Sequence, residues 1–217
     1  MHPEKEVPDI TDIYVILQTN ALTDSYEEYL RRVDRGLRLL LQPANNPGNE
    51  TYRWHGTSRA CQIGELGITK PCINSECGVC GIIKTSFDLK CYGKATKWGR
   101  FGKGIYTTDI SSKSDDYVLN QHKSFTKALV LASVVLGHPK KLRFNSDHLV
   151  EPPGGYDSVI GEPSEEGDLR YSESVVYDED AIRPVYLVMY SSASAKWSDG
   201  QGVQEGTTFD VTSLRNS

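Results

Sequence analysis

An α+β domain, with a β-rich core behind an N-terminal helical segment, is the fold class that this chain predicts. Three observations carry that expectation. Tyr26, Tyr29, Leu30, Val33 and Leu37 recur at helical spacing near the N-terminus. The turn-rich connector Pro43 to Asn49, PANNPGN, closes the segment. Beyond it the apolar residues come in short β-prone runs. The longest of these, Ala128 to Leu136, is as continuous as a strand buried on both faces. At 217 residues the chain has length for one sizeable core.

In chain order, Ile13 to Leu17 reads as a short strand. Asp24 with Glu27 forms a capping-box pattern, which opens a helix from Ser25 to Leu40. Tyr52 to His55 is a strand running into Gly56, and Gly104 to Thr107 is another. The segment Gly81–Leu89 is β-prone. Ser174 to Tyr177 and Val185 to Tyr190 are two further strands, separated by DEDAIRP. From Ser191 the chain is rich in Ser, Gly and Thr and reads as a mobile tail anchored only by Trp197.

Composition sets bounds. Hydrophobic content of 38% and charge of 24% are ordinary for a globular chain, and a net charge of −5 argues against nucleic-acid binding through overall electrostatics. Lys94, Lys97, Arg100 and Lys103, around Trp98 and Phe101, are a local cationic exception. They read either as a solvated loop or as a site facing phosphates. No apolar run approaches the ~20 residues of a membrane span. The N-terminal MHPEKEVPDI lacks an apolar leader. The expectation is an intracellular protein, cytoplasmic or nuclear, with secretion left open.

All five cysteines fall between Cys61 and Cys91. Cys72, Cys77 and Cys80 are closely spaced, and Cys61 or Cys91 completes a set of four. Cys61 is preferred, because Cys91 lies beyond the β-prone segment beside the cationic loop. Gly78 and Gly81 suit a backbone turning around a metal. In a reducing compartment this pattern points to a structural tetrahedral zinc site; unligated thiols, or disulfides in a secreted protein, remain the alternatives. A closed four-cysteine site staples a loop and performs no chemistry.

Three segments carry the chemistry: Trp54-His55-Gly56-Thr57, the stretch FGKGIYTTDISSKSDDY at 101–117, and YSESVVY at 171–177. Gly102 and Gly104 let a backbone approach closely, while Tyr106, Tyr117 and Ser114 suit a flat polar ligand. Taken singly each is weak. A histidine ending a strand is usually structural, and one glutamate before an apolar run is usually surface.

Their order resembles the His, Tyr and Glu motifs of the poly(ADP-ribose) polymerase-type ADP-ribosyltransferase catalytic domain. The matching blocks are WHGT at 54–57, FGKGIY at 101–106 with SKSDDY at 112–117, PPGGYDSV at 152–159, and ESVVYDEDAIRPVYLVMY at 173–190. The resemblance covers roughly residues 50 to 190, and its second block is very specific. The WHGT, CxxCGII, SFD and AIRP details look like fungal members.

The resemblance implies an ADP-ribosyltransferase fold with a split antiparallel β-sheet core. Residues 1–49 then form an N-terminal strand and helix packed on a catalytic domain at 50–190. That domain carries a cysteine-rich insertion at 61–91 and is followed by a polar tail at 191–217. It implies NAD+ as substrate. His55 would bond the adenosine ribose, and the Gly56 backbone would clamp the carboxamide beside Thr57, with Ser114 as third contact. Tyr106 and Tyr117 would sandwich the nicotinamide. Glu173 would bond the nicotinamide ribose and stabilise the oxocarbenium-like charge that grows there as the glycosidic bond breaks. His55, Tyr106 and Glu173 are thus the implied catalytic set. Lys113 has no assigned role. The segment Lys90 to Arg100 would cover the donor, its cations meeting the pyrophosphate.

Ser172 stands where the family commonly has Asn. The cysteine excursion replaces a simple helix and loop, and no long regulatory bundle precedes residue 50. The expected activity is transfer of ADP-ribose, one unit rather than a polymer, to a protein or nucleic-acid acceptor. An NAD+ glycohydrolase and an inactive NAD+-binding or zinc-stapled interaction module are the alternatives.

Overall fold

The computed structural model describes residues 7–40, 46–94, 98–121, 124–191 and 208–209. The first strand, β1 (Asp9–Ile16), is followed by helix α1 (Asn20–Leu40) and then β2 (Glu50–His55). Short β3 (Ser58–Arg59), α2 (Gly78–Thr85), β4 (Ile105–Thr107), α3 (Ser111–Asp115) and β5 (Leu119–Asn120) come next. The chain continues through β6 (Thr126–Val135), β7 (Pro139–Leu142), β8 (Ser158–Gly161), β9 (Glu173–Val176), β10 (Ile182–Ser191) and β11 (Thr208–Phe209).

Two main sheets result, beside the short pair of β3 with β5. The larger has the order β11-β1-β10-β6-β2, antiparallel except where β11 joins β1. Its centre is the pair β6 and β10, ten residues each, with a register shift at Pro184 that lets a residue without an N–H sit inside a strand. Val130, Ala132, Val134, Leu187 and Met189 are fully buried there. Leu129, on the opposite face of β6 from Val130, is buried too, so the nearly all-apolar run is largely covered on both sides. The smaller sheet has the order β4-β9-β8-β7, with only β7 and β8 parallel.

The two main sheets join where Trp54 and Thr108 exchange two backbone hydrogen bonds, of 2.7 and 3.1 Å, so the end of β2 adjoins the end of β4. The runs expected as strands at 52–55, 104–107, 174–177 and 185–190 form β2, β4, β9 and β10 with shifted ends.

Three local expectations fail. The helix α1 begins at Asn20, not Ser25, because Thr19 caps it: its Oγ1 accepts the Leu22 N–H at 3.4 Å. Asp24 and Glu27 lie inside the helix. The β-prone Gly81–Leu89 segment is mostly helix α2. Its buried residues Val79, Cys80, Ile82 and Ile83 have helical spacing, which a short apolar run does not separate from a strand. Nor do both flanking glycines serve a turn. A Cβ on Gly81 would meet nothing within 4 Å, whereas one on Gly78 would lie 2.2 Å from Thr57 Oγ1.

The expectations for residues 43–45, Lys97, Trp197 and most of the tail fall outside the described residues. Among the described residues no helix is long and apolar enough to cross a membrane.

Candidate active site

The seam between the sheets is where the motif residues converge. β2 ends on His55, whose Nδ1 lies 2.9 Å from the Tyr106 carbonyl. A carbonyl only accepts, so Nδ1 carries the proton and Nε2 is left as an acceptor. The ring stands edge-on to Phe87 at 5.1 Å. Burial holds the His55 pKa below the ordinary imidazole value, with the Tyr106 carbonyl opposing that shift. The neutral ring therefore dominates at neutral pH.

Next along the chain, Gly56 is packed against α3. A Cβ there would lie 2.0 Å from Ser114 O and 3.3 Å from Tyr117 Cβ, so a side chain has no room. Pairing of β3 with β5 fixes this approach, through the register Ser58 with Leu119 and Arg59 with Asn120. Ser114 is buried, while Tyr117 remains 41% exposed. α3 is also clamped to the large sheet, since Asp115 Oδ1 accepts from Lys127 Nζ at 2.8 Å and Tyr190 Oη at 2.6 Å.

Tyr106 sits on β4 with its hydroxyl tied into the preceding loop. It donates to Gly102 O at 2.7 Å and accepts the Phe101 N–H at 3.0 Å. The two glycines of FGKGIY face protein, not ligand. Gly102 has φ 70°, and a Cβ on it would meet Leu149 O at 1.8 Å; one on Gly104 would meet Val175 Cγ1 at 2.4 Å.

Glu173 opens β9 and is buried, with 7% exposure. Its backbone neighbours are pinned by two hydroxyls: Thr108 Oγ1 donates to Ser172 O at 2.8 Å and Thr107 Oγ1 to Ser174 O at 3.2 Å. Burial pushes the Glu173 carboxyl above its ordinary value, and Lys113 and then Arg100 pull it back. The residue that sequence reasoning left without a role is thus Lys113. Its Nζ is 3.7 Å from Glu173 Oε1 and 3.1 Å from Tyr117 Oη, and it lies 4.9 Å from the Tyr117 ring centroid. Its i, i+4 spacing to Tyr117 was the available signal. A cavity of about 220 Å³ opens on Glu173, lined by Arg100, Lys113, Asp168, Arg170 and Tyr171.

Of the cationic loop, Arg100 reaches this cavity. Lys94 turns to Cys91 Sγ at 3.5 Å, and Lys103 is exposed.

The Sγ atoms of Cys61, Cys72, Cys77 and Cys80 all lie within 4.8 Å of one another. Cys61 is 3.8 Å from Cys77 and 3.5 Å from Cys80. A tetrahedral zinc with bonds of about 2.3 Å places sulfurs about 3.8 Å apart, so the donor set fits that ion. All five cysteines are free in this structure, and Cys91 is exposed. Ala60 N–H donates to Cys77 Sγ at 3.3 Å and Cys72 N–H to Cys80 Sγ at 3.2 Å. The hydrogen bond from Cys80 brings the Cys77 thiol down to about 5, while burial raises Cys61 to about 11. Cys77 is thus the readiest thiolate, while Cys61 and Cys80 are pushed upward beside it.

The poly(ADP-ribose) polymerase catalytic domain model matches residues 8–192. Protein mono-ADP-ribosyltransferase PARP4 of Homo sapiens is 33% identical over 195 residues, covering 88% of this chain and 10% of that protein. Protein mono-ADP-ribosyltransferase PARP3 of Mus musculus is 29% identical over 159 residues, covering 70% and 26%. Poly [ADP-ribose] polymerase 2-B of Oryza sativa subsp. japonica is 23% identical over 180 residues, covering 69% and 26%. The chain thus spans between a tenth and about a quarter of the length of these relatives.

Proposed function

The chain belongs to the poly(ADP-ribose) polymerase catalytic-domain family, and on that premise we propose that it is an NAD+-dependent ADP-ribosyltransferase. It cleaves the bond between nicotinamide and ribose and moves one ADP-ribose unit to a macromolecular acceptor, protein or nucleic acid. It belongs to the His-Tyr-Glu clade on the ADP-ribosyltransferase fold, with residues 50–190 as the catalytic domain. Its WHGT and AIRP details agree with fungal members, and it acts inside the cell.

The observation that carries this reading is Glu173. A buried carboxylate held 3.7 Å from an ammonium group, at the seam that also holds His55 and Tyr106, has no packing purpose. Burying a charge is costly, and one ammonium at 3.7 Å does not outweigh the burial that pushes the Glu173 carboxyl upward. Here a carboxylate in a sheltered cleft meets the positive charge that develops on the ribose as nicotinamide leaves. His55 Nε2 accepts from the adenosine ribose. The Gly56 backbone and Ser114 hold the carboxamide, with Thr57 completing the turn. Tyr106 and Tyr117 flank the ring and fix the leaving group in a reactive pose. A zinc ion on Cys61, Cys72, Cys77 and Cys80 is structural. Those four residues would hold it, and it takes no part in the transfer.

Purified protein incubated with labelled NAD+ should release nicotinamide and label a macromolecule. Glu173→Gln should lower nicotinamide release at least about ten-fold, or about 1.4 kcal/mol of transition-state stabilisation. Release without label on any macromolecule would identify a glycohydrolase. Binding without release would identify an inactive NAD+-binding module.

A further inference from the structure

The cysteine cluster does not hang off the fold as a distant staple. It packs under the segment that makes the dinucleotide turn, residue by residue. His55 meets Phe87, just past α2, at 5.1 Å. Thr57 Oγ1 fills the space where Gly78 would otherwise carry a side chain. Ser58 Oγ donates to Glu76 O at 2.6 Å and accepts the Gly78 N–H at 3.1 Å. Arg59, wholly buried, donates to Ile63 O at 3.0 Å and pairs with Glu65 at 2.5 Å. Ala60 N–H then donates to the sulfur of Cys77. From the opposite side, α3 closes on Gly56.

We infer that metal occupancy of the four-cysteine site is energetically coupled to NAD+ binding, because the ion fixes the position of the Gly56–Thr57 turn. Four thiolates around a divalent cation keep a net charge of about −2, which the surrounding N–H donors must offset. Three such groups are in place: the Ala60 N–H, the Cys72 N–H, and the Lys84 ammonium on Cys72 O at 3.0 Å. The Ala60 donor is the residue after β3, so the charge at the metal tightens the strand that ends the turn. Without the ion no shared bond ties the four sulfurs to one another, and the start of α2, which Ser58 holds through Glu76 O and the Gly78 N–H, loosens beneath Thr57. The coupling rests on the NAD+ reading above, whereas the metal site stands on its own geometry.

Coupling of this kind is reciprocal: whatever factor the ion adds to NAD+ affinity, NAD+ adds to metal affinity. The test uses the full chain carrying Glu173→Gln, so that NAD+ is not consumed. Metal content is measured, and cobalt(II) is exchanged in to give the thiolate-to-cobalt charge-transfer bands of a four-sulfur tetrahedral site. Zinc affinity is then read by competition with a chromophoric chelator, with and without saturating NAD+. NAD+ should tighten zinc binding at least about five-fold. In a second variant, Ser58→Ala should keep one equivalent of metal and an unchanged circular dichroism spectrum, yet bind NAD+ about three-fold more weakly. This second arm holds even if the metal-free protein unfolds.

Equal zinc affinity with and without NAD+, or unchanged NAD+ binding in Ser58→Ala, overturns the coupling and leaves the metal site intact. Less than half an equivalent of metal, with no cobalt–thiolate bands, overturns both. Metal-loaded protein that binds no NAD+ overturns the functional reading and the coupling, but not the metal site.

Discussion

The two main sheets are built by different means. The larger one rests on three central strands of eight to ten residues, with side chains such as Val130, Leu187 and Met189 withdrawn completely from water. Its stability comes from apolar area, which is tolerant in detail and large in sum. The smaller sheet has strands of three or four residues over a small core cluster of Phe101, Val159, Leu169 and Val175, with Ile105 and Val176 on its other side joining the main core. So little area does not fix a sheet by burial alone. Specific contacts do it instead: Gly102 against Leu149, Gly104 against Val175, and the hydroxyls of Tyr106 and Tyr177 on the 101–102 loop. The large sheet contributes His55 to the site, and the small sheet contributes Tyr106 and Glu173. Two of the three proposed catalytic residues are thus mounted on the part whose geometry is set atom by atom.

Substitutions can break this contrast. The largest effect is expected in the large sheet, where Leu187→Ala should cost about 2–5 kcal/mol in urea unfolding and leave the NAD+ affinity of the folded protein unchanged. A loss below about 1 kcal/mol would mean that the sheet does not rest on its core. In the small sheet, Tyr106→Ala should weaken NAD+ binding by about 1–3 kcal/mol through lost stacking, as read by calorimetry. Tyr106→Phe keeps the ring and should retain most of that affinity. If Phe binds as weakly as Ala, the hydroxyl bonds to the loop matter and the ring does not.

Smaller still, Tyr177→Phe removes a 2.7 Å bond to Phe101 O. It should cost about 0.5–1.5 kcal/mol, with faster amide exchange in β4 and none of that change in β6 or β10. The subtlest effect concerns charge. Lys113 holds the Glu173 carboxyl down against burial, so Lys113→Met should raise its pKa further. On the proposed mechanism the carboxylate is the active form, so the acidic limb of the kcat/KM profile should move to higher pH; an unmoved limb would show that the pair is not coupled. The sign for stability is opposite. A carboxyl raised in the folded state contributes stability at low pH, which is lost as pH rises through the folded-state value.

The candidate site was legible as a set of blocks. His55-Gly56-Thr57, Tyr106, Ser114, Tyr117 and Glu173 are weak signals singly, and it is the order of their blocks, through its resemblance to a family, that singles them out. The helix α1 was legible from periodicity, though its start was not. Two capping patterns compete there, Thr19 and Asp24, and the structure uses Thr19, whose Oγ1 accepts the Leu22 N–H. α2 was misread because GVCGIIKT is too short for its period to show. Lys113 was passed over because its partner Glu173 is remote in sequence.

By itself the sequence determined which groups are present: the motif side chains, four thiols in suitable order, and a long amphipathic helix. These follow from covalent order and from forces acting over a few residues. Tertiary structure decided what those groups face. Pairing of β2 with β6, β9 with β4 and β3 with β5 set His55 on Tyr106, Gly56 on Ser114, and the cysteines beneath Thr57. Those contacts join segments distant along the chain. They become favourable only once the shared core has already met the entropy of closing the loops between them.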